Sequence, residues 1–575
     1  MSTLHGTSYD WAIIDPNPSL VTALRNQFNL DLVIAMVLVN RGITLETAEA
    51  FLNPSLTRLT SHATLPGIAA ATARIRKAID AGEHIMVHGD YDCDGVTSAA
   101  LAVRALQGVG AKVSGFVPRR SDGYDLQRYG VDEAAKLGAS LIITTDCGVG
   151  AVEPVAYANA LGIDVVVTDH HRPGKVLPDA VAVVNPYISE STVGFPHICG
   201  AGVIFRVLEA YMQTFRPDVL PAFHKNFVDL AAIGTVADVT PLISDNRLMV
   251  AQGVALMRAN RKVGLAALYL ALGLDPNTIT AQTIAFNIAP ALNAAGRMGE
   301  PGLAFELLST KDANRAEELA RRVRELNELR KAQMQDIVAE ASVLAISPDV
   351  AHHRVMVLAG KRWNKGLVGP VASKIVDLTQ KPSIMLGYDI DQQVYTGSGR
   401  STPTFNLLHA LQGCADLLEK FGGHHHSAGL SIAEANLDAF IARIQDVAAD
   451  LLPETPPRGV LNIDAEIVNA AAITETLPRT LSMLEPTGNG NPAAVFMTKS
   501  AKVVENRLGN SETLLLSVQL PGTSQPFKAI RFRAKEWHDQ ISTGSLIDIA
   551  YRPALNVFRG RTSVDLQLED WRPSV

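Results

Sequence analysis

His84-Ile-Met-Val-His88-Gly-Asp90-Tyr-Asp92-Cys-Asp94-Gly95 carries a short apolar run straight into one imidazole and three carboxylates. The apolar half predicts a buried strand, and the Asp/Gly half a turn at its carboxyl end. Two later runs finish the same way: Leu141-Ile-Ile-Thr-Thr145 meets Asp146, and Val165-Val-Val-Thr168 meets Asp169-His170-His171. Segments of helical spacing lie between them, the signature of βαβ units and a parallel sheet. Ligands bind at the carboxyl edge of such a sheet, so carboxylates remote in sequence converge there. Lys136-Leu-Gly-Ala139 and Ala160-Leu-Gly-Ile163 repeat one helix-to-strand turn. In Ala231-Ala-Ile-Gly-Thr-Val-Ala-Asp238 another Asp follows an apolar run, although taken alone it reads as structural.

Crowded carboxylates raise one another's pKa unless cations neutralise them. Carboxylate oxygens mixed with imidazole nitrogen suit manganese, magnesium or a similar divalent ion. The alternative for Asp90, Asp92 and Asp94 is a solvated acidic turn, and for Asp146 a helix cap. Adjacent His170 and His171 beside Asp169 offer a metal ligand, an orienting carboxylate and a phosphate-facing donor.

At 575 residues the chain has room for three to five domains, at roughly 100–200 residues each. Hydrophobic residues at 47% against 19% charged exclude a disordered chain and fit an α/β enzyme. A net charge of −7 gives no chain-wide positive field, so a nucleic-acid partner needs local basic patches. Cys93, Cys147, Cys199 and Cys414 have no metal-binding spacing and suit a reducing compartment. With no signal-like start and no membrane-length apolar run, a cytoplasmic protein without membrane contact is expected.

Residues 1–67 read as a helical N-terminal segment, with Thr44 as a helix cap. Residues 68–313 hold the first α/β lobe, 314–346 one long connecting helix whose charges form a solvated face, and 347–452 a second α/β lobe. Pro453-Glu-Thr-Pro-Pro457 reads as a linker, and 459–575 as a small β-barrel or sandwich. Its Lys528, Arg531, Arg533 and Lys535 read either as an ordinary charged face or as an extension of a basic channel.

Together the four strand-end elements resemble the DHH phosphoesterase superfamily, named for triplets of the Asp169-His170-His171 type. His88, Asp92 and Asp94 fit its His-x-x-x-Asp-x-Asp spacing. Within the superfamily the chain is similar to the single-stranded-DNA-specific exonucleases. It shares Gly89–Gly95, Pro290-Ala-Leu-Asn-Ala-Ala-Gly-Arg297, Ser398-Gly-Arg-Ser401, Gly422-Gly-His424, Glu485-Pro-Thr-Gly-Asn-Gly-Asn-Pro492 and Asn556–Gly560 in that family's order.

The resemblance implies a DHH domain and a DHH-associated domain joined by the long helix, followed by an OB-fold nucleic-acid-binding domain. It implies two divalent ions, manganese or magnesium, bridged by Asp146, with His88 and Asp92 on one and Asp94, His170 and Asp238 on the other. Asp90 is a ligand or a partner of one. Asp146, Asp169 and His171 form the catalytic set, His171 facing the scissile phosphate. Arg297, Arg400 and His424 hold the strand; without the resemblance the two arginines read as exposed salt-bridging residues.

The implied activity is 5′ to 3′ hydrolysis of single-stranded DNA to nucleoside 5′-monophosphates in DNA repair and recombination. The enzyme is expected to be a monomer that works with a helicase and a single-strand-binding protein. Alternatives are a phosphodiesterase of short oligonucleotides or cyclic dinucleotides, and a non-catalytic single-strand-binding scaffold.

Two positions depart from the family pattern. An Arg before Gly-Tyr-Gly, implicated in gripping the 5′ end, appears as Arg119-Arg120-Ser-Asp-Gly123-Tyr124-Asp125, leaving Arg119 and Arg120 as alternatives and Asp125 in place of Gly. Asn364 follows Trp363 where the family has His, and cannot protonate or ligate as His does.

Overall fold

The computed structural model describes residues 2–189, 193–259, 262–390, 392–452, 458–558 and 561–574; the linker 453–457 lies outside the described residues. The first lobe is a five-stranded sheet in the order Lys112–Phe116, His84–Gly89, Leu141–Thr145, Asp164–Thr168, Ala182–Val184. All its pairings are parallel, so every carboxyl end faces one edge. The helix Cys93–Gly108 starts at that edge and is buried along almost its whole length. It packs on the helices Gly200–Phe215 and Leu220–Ala237, which explains its run of Ala, Val and Leu rather than a two-faced pattern.

The long helix spans Ala313–Ala345. At 1.5 Å per residue it is about 50 Å long. Its charged residues form a solvated face, but the opposite stripe is structural. Ala316, Leu319, Ala320, Val323 and Leu326 join the core of the first lobe, while Ile337, Ala341 and Ala345 join that of the second. The second lobe is a mixed sheet, with Met356–Gly360 parallel to Ser383–Asp389 and the remaining neighbours antiparallel. In the C-terminal domain the strands Phe496–Leu508, Leu514–Gln519, Phe527–Arg531, Arg561–Pro573 and Leu546–Phe558 close into a five-stranded barrel.

The N-terminal segment differs from the helical expectation. It opens with the strands Ser2–His5 and Tyr9–Ile13, the second of which pairs in parallel with Gly459–Ile463. Trp11 is fully buried, its Nε1 donating to Asp570 Oδ2 at 2.8 Å. The helices that follow do bury an apolar face, but against the barrel: Leu24, Ile34 and Leu38 share a core with Phe496 and Tyr551. Thr44 caps the helix Leu45–Leu52, its N–H donating to Thr47 Oγ1 at 2.9 Å. Chain ends more than 400 residues apart thus form one unit, a pairing that local periodicity has no means of signalling. Among the described residues no helix is long and apolar enough to cross a membrane.

Candidate active site

The sheet edge places each carboxylate by a different local device. Asp92 caps the helix Cys93–Gly108, with Oδ1 accepting from the N–H groups of Asp94 at 3.0 Å and Gly95 at 3.1 Å. Gly95 has to be glycine, since a Cβ there would stand 2.6 Å from the Asp90 backbone. Asp94 occupies the first helical turn and accepts two amides from the start of the helix Gly200–Phe215, Gly200 N–H at 2.7 Å and Ala201 N–H at 2.9 Å. A helix N-terminus thereby orients a buried carboxylate. Asp146 sits just past its strand at φ +64°, a left-handed conformation that Asp tolerates better than most residues. Asp238 ends the helix Leu220–Ala237, its N–H donating to Gly234 O at 2.9 Å.

These side chains form three overlapping trios whose ligand atoms lie within 4.8 Å of one another: Asp90, Asp92 and Asp146; Asp94, His170 and Asp238; and Asp146, His170 and His171. Asp146 belongs to two of them. His170 Nε2 stands 3.0 Å from Asp146 Oδ1 and 3.9 Å from Asp94 Oδ2, and its Nδ1 is 3.8 Å from Asp238 Oδ2. Burial first, and then mutual repulsion, raises Asp94 to about 6 and pushes Asp90, Asp146 and Asp238 well above the carboxylate range. Burial lowers His170 to about 4, so its ring is a neutral donor. Asp146 Oδ1 is buried and accepts no hydrogen bond despite the nearby imidazole. Carboxylate oxygens mixed with imidazole nitrogens, one of those oxygens orphaned, fit divalent ions of the manganese or magnesium type.

His88 and Asp169 lie outside the three trios. The structure gathers Asp90, not His88, with Asp92. His88 still lies within its strand, in register with Phe116, so its side chain projects from a sheet face rather than over the edge. Its ring lies 5.4 Å from Phe116 and 3.7 Å from Cys147 Sγ, against Gly130, and burial lowers it to about 4. Asp169 spends both oxygens on bracing. Oδ1 accepts from His170 N–H at 2.7 Å and from His171 N–H and Nδ1, and Oδ2 accepts from Val149 N–H at 2.9 Å. Burial works against the His171 charge, but Asp169 outweighs it and holds that ring up at about 9. Tyr124 Oη lies 3.1 Å from His171 Nε2.

Beside the first trio a cleft of about 690 Å³ opens between the two lobes, lined by Arg119, Arg120, Arg297, Lys365, Arg400 and Lys420 among others. Arg120 lies over the Tyr91 ring at 4.5 Å and Arg119 precedes the short helical turn Arg120–Asp122; both are exposed. Arg297 Nη1 donates to Gly366 O at 2.9 Å, and burial followed by the Arg120 charge lowers it to about 10. Arg400 Nη1 donates to Ser398 Oγ at 2.7 Å. His424 is not among the lining residues; it is exposed on the turn between Lys420–Gly423 and Ser427–Ala433.

Both departures from the family pattern have local reasons. Asp125 adopts φ +73°, a conformation Gly favours and Asp tolerates, and its Oδ1 accepts Leu126 N–H at 2.8 Å. Asn364 Oδ1 accepts Gly366 N–H at 2.9 Å, so it shapes the turn that receives Arg297. On the barrel Lys528 is 3.8 Å from Asp565 and Arg531 3.3 Å from Glu569, and Lys528, Arg533 and Lys535 are exposed.

Residue type alone passes over three contributors. Gly200 and Gly234 carve the room for the carboxylates: a Cβ would lie 2.5 Å from Asp146 Oδ1 in one case and 2.3 Å from Asp94 Oδ1 in the other. Asn293, inside the quoted Pro290–Arg297 motif, accepts Cys93 N–H at 2.9 Å and braces the Asp-rich turn. Small residues flanking an Asp-bearing helix were the available signal in Cys199-Gly-Ala-Gly202 and Ala231-Ala-Ile-Gly234.

Family models match along the chain: the DHH family N-terminal domain at residues 84–235, the DHHA1 domain at 350–450 and the RecJ OB domain at 463–570. The single-stranded-DNA-specific exonuclease RecJ of Bacillus subtilis (strain 168) is 33% identical over 97% of this chain and 70% of its own length. That of Thermus thermophilus is 33% identical over 88% and 71%. The crystal structure of RecJ from Thermus thermophilus with Mn2+ matches with a TM-score of 0.84 at 29% identity, covering 98% of this chain and 80% of that one. The Mg2+ complex gives 0.79 at 28% identity, covering 98% and 78%.

Proposed function

The chain belongs to the RecJ family of single-stranded-DNA-specific exonucleases, and on that premise we propose that it hydrolyses single-stranded DNA from the 5′ end to nucleoside 5′-monophosphates. The observation that carries this reading is a chain of three carboxylate and imidazole trios, linked through Asp146 and His170, beside an arginine-lined cleft. Manganese or magnesium bound by Asp90, Asp92, Asp94, Asp146, His170 and Asp238 supplies Lewis acidity for in-line displacement at phosphorus.

The chain's own residues do the remainder. Arg297 and Arg400, with Arg119 or Arg120, grip the terminal phosphates through charge-assisted hydrogen bonds. His171, protonated and braced by Asp169, donates from Nε2 to an oxygen of the scissile phosphate in place of Tyr124. Tyr124 and Tyr91 give the first nucleotides flat surfaces to lie on. His424, on the hairpin turn, reaches the strand only where the strand leaves the cleft. Such an activity calls for a helicase to expose single strand and a single-strand-binding protein to present it, with the enzyme acting as a monomer in DNA repair and recombination.

The test is degradation of single strands labelled at the 5′ or the 3′ end, with manganese, magnesium or chelator. Early release of the 5′ label as mononucleotide, abolished by chelator and by Asp146→Ala, is expected. Erosion from the 3′ end alone, or survival of both labels, overturns the proposal. Faster turnover of a dinucleotide than of a long strand would favour the short-oligonucleotide alternative.

A further inference from the structure

Two motifs quoted from the sequence, Pro290–Arg297 and Glu485–Pro492, meet at one place the chemistry above does not use. A cavity of about 480 Å³ lies between the first lobe and the barrel domain, bounded by Val239, Leu242, Phe286, Pro290, Asn489 and Pro492. We propose that it is a base-stacking subsite for the substrate strand on the 3′ side of the scissile phosphate, with Phe286 as the stacking platform; this rests on the exonuclease reading.

The local backbone is built to present that ring. Pro290 has no N–H to donate to Phe286 O four residues back, and its ring crowds that carbonyl. The helix widens into a π-turn over Ile284–Ile288, with Ala289 N–H bonding Ile284 O five residues back. Such turns are uncommon and recur at functional sites. Phe286 is left 77% exposed, an unusual position for a large aromatic side chain with no packing duty.

Position gives the cavity its occupant. Val239 follows Asp238 of the second trio, and Asn293, which also lines the cavity, holds Cys93 between Asp92 and Asp94. The helix Ala289–Arg297 therefore has Pro290 and Asn293 in this cavity and Arg297 in the basic cleft, with the carboxylates between. A strand whose 5′ end lies among the arginines and whose next phosphate lies over the carboxylates continues toward Phe286 and the barrel. The described lining contains no carboxylate, and its one charged group is Arg552, so a polyanion meets no repulsion there. The exposed face of the Phe286 ring can stack on bases of any sequence.

Full-length Phe286→Trp, kept in chelator so that the strand survives, is titrated with oligothymidylate while anisotropy of a labelled strand reports binding. Saturable quenching of the introduced indole, above the background of the four native tryptophans, is expected in step with anisotropy. Thymidine monophosphate at the same base concentration should not produce it. Phe286→Ala should weaken strand binding about tenfold, within the range of one lost base stack, and Phe286→Tyr should restore it. Tight binding without quenching of that indole, quenching by the mononucleotide alone, or Phe286→Ala binding within about twofold of the parent overturns the subsite while leaving the exonuclease reading intact. A parent that neither binds nor degrades single strands overturns both.

Discussion

Replacing Gly200 with alanine tests the geometry of the carboxylate trios more sharply than removing a ligand does. The added methyl group would stand 2.4 Å from Asp146 Cβ and 2.5 Å from its Oδ1, where ordinary contact begins at 3.4 Å. Asp146 must therefore retreat by close to ~1 Å, because the helix Gly200–Phe215 is held from behind by its own buried face. A misplacement of about 1 Å in a reacting constellation costs roughly 100-fold in rate, or about 2.7 kcal/mol of barrier. The fold should survive, since the preference of helices for Ala over Gly, up to about 1 kcal/mol, offsets part of an overpacking cost of roughly 1–3 kcal/mol. The measurements are turnover of 5′-labelled single strand in manganese, manganese affinity by calorimetry, and thermal melting. Gly202→Ala is the control: its nearest contact is Ile198 Cβ at 3.3 Å, away from every carboxylate. Gly200→Ala with turnover and manganese affinity close to those of Gly202→Ala would refute the claim that glycine makes the room for Asp146.

Asp146→Asn should abolish cleavage and raise the melting temperature of chelated protein, because it removes a buried carboxyl that burial and the neighbouring Asp94, Asp92, Asp90 and Asp238 force to take up a proton on folding; an unchanged melting temperature would count against a strained cluster. In chelator the folded protein keeps the His171 proton up to about 9, against 6.5 for the ordinary ring, and its raised carboxyls also bind protons the unfolded chain has released. Stability should therefore fall as pH rises from about 6.5 to about 9, and differential scanning fluorimetry showing a flat or rising profile contradicts this. Arg297→Gln should raise KM for 5′-phosphorylated strands by roughly tenfold or more, the worth of a charge-assisted hydrogen bond, with a smaller change in kcat; equal losses on 5′-hydroxyl strands would remove its phosphate role. Deleting residues from Gly459 onward should give aggregated protein, since Leu24, Ile34 and Leu38 lose the barrel they pack on, and trimming the chain through Leu52 as well should restore a monodisperse product in gel filtration.

How far the sequence reached depended on the range of the interaction. The parallel sheet, the carboxylates at its edge and the bridging helix all follow from periodicity over ten to thirty residues, and the structure has each of them. The assignment of His88 illustrates where spacing stops. His88 reads as a ligand and Asp90 as a ligand or a partner of one, and the strand ends between them at Gly89. The ring is therefore held against Phe116 inside the sheet while the carboxylate emerges at the edge. His424 shows the same limit, since its place on a hairpin turn, beside the Ser427 that pairs with Arg400, is set by strand register.

The sequence by itself determined the chemistry of this protein: which residue types stand at strand ends, that their crowding demands divalent cations, and which family orders its motifs this way. The tertiary structure alone decided which of those side chains meet, that Gly200 and Gly234 open the space they meet in, and that Trp11 at one end of the chain locks onto Asp570 at the other. The physical reason is one of range. Backbone periodicity and local hydrogen bonding are written into neighbouring residues, whereas side-chain direction at a site and contacts across hundreds of residues depend on how whole layers pack.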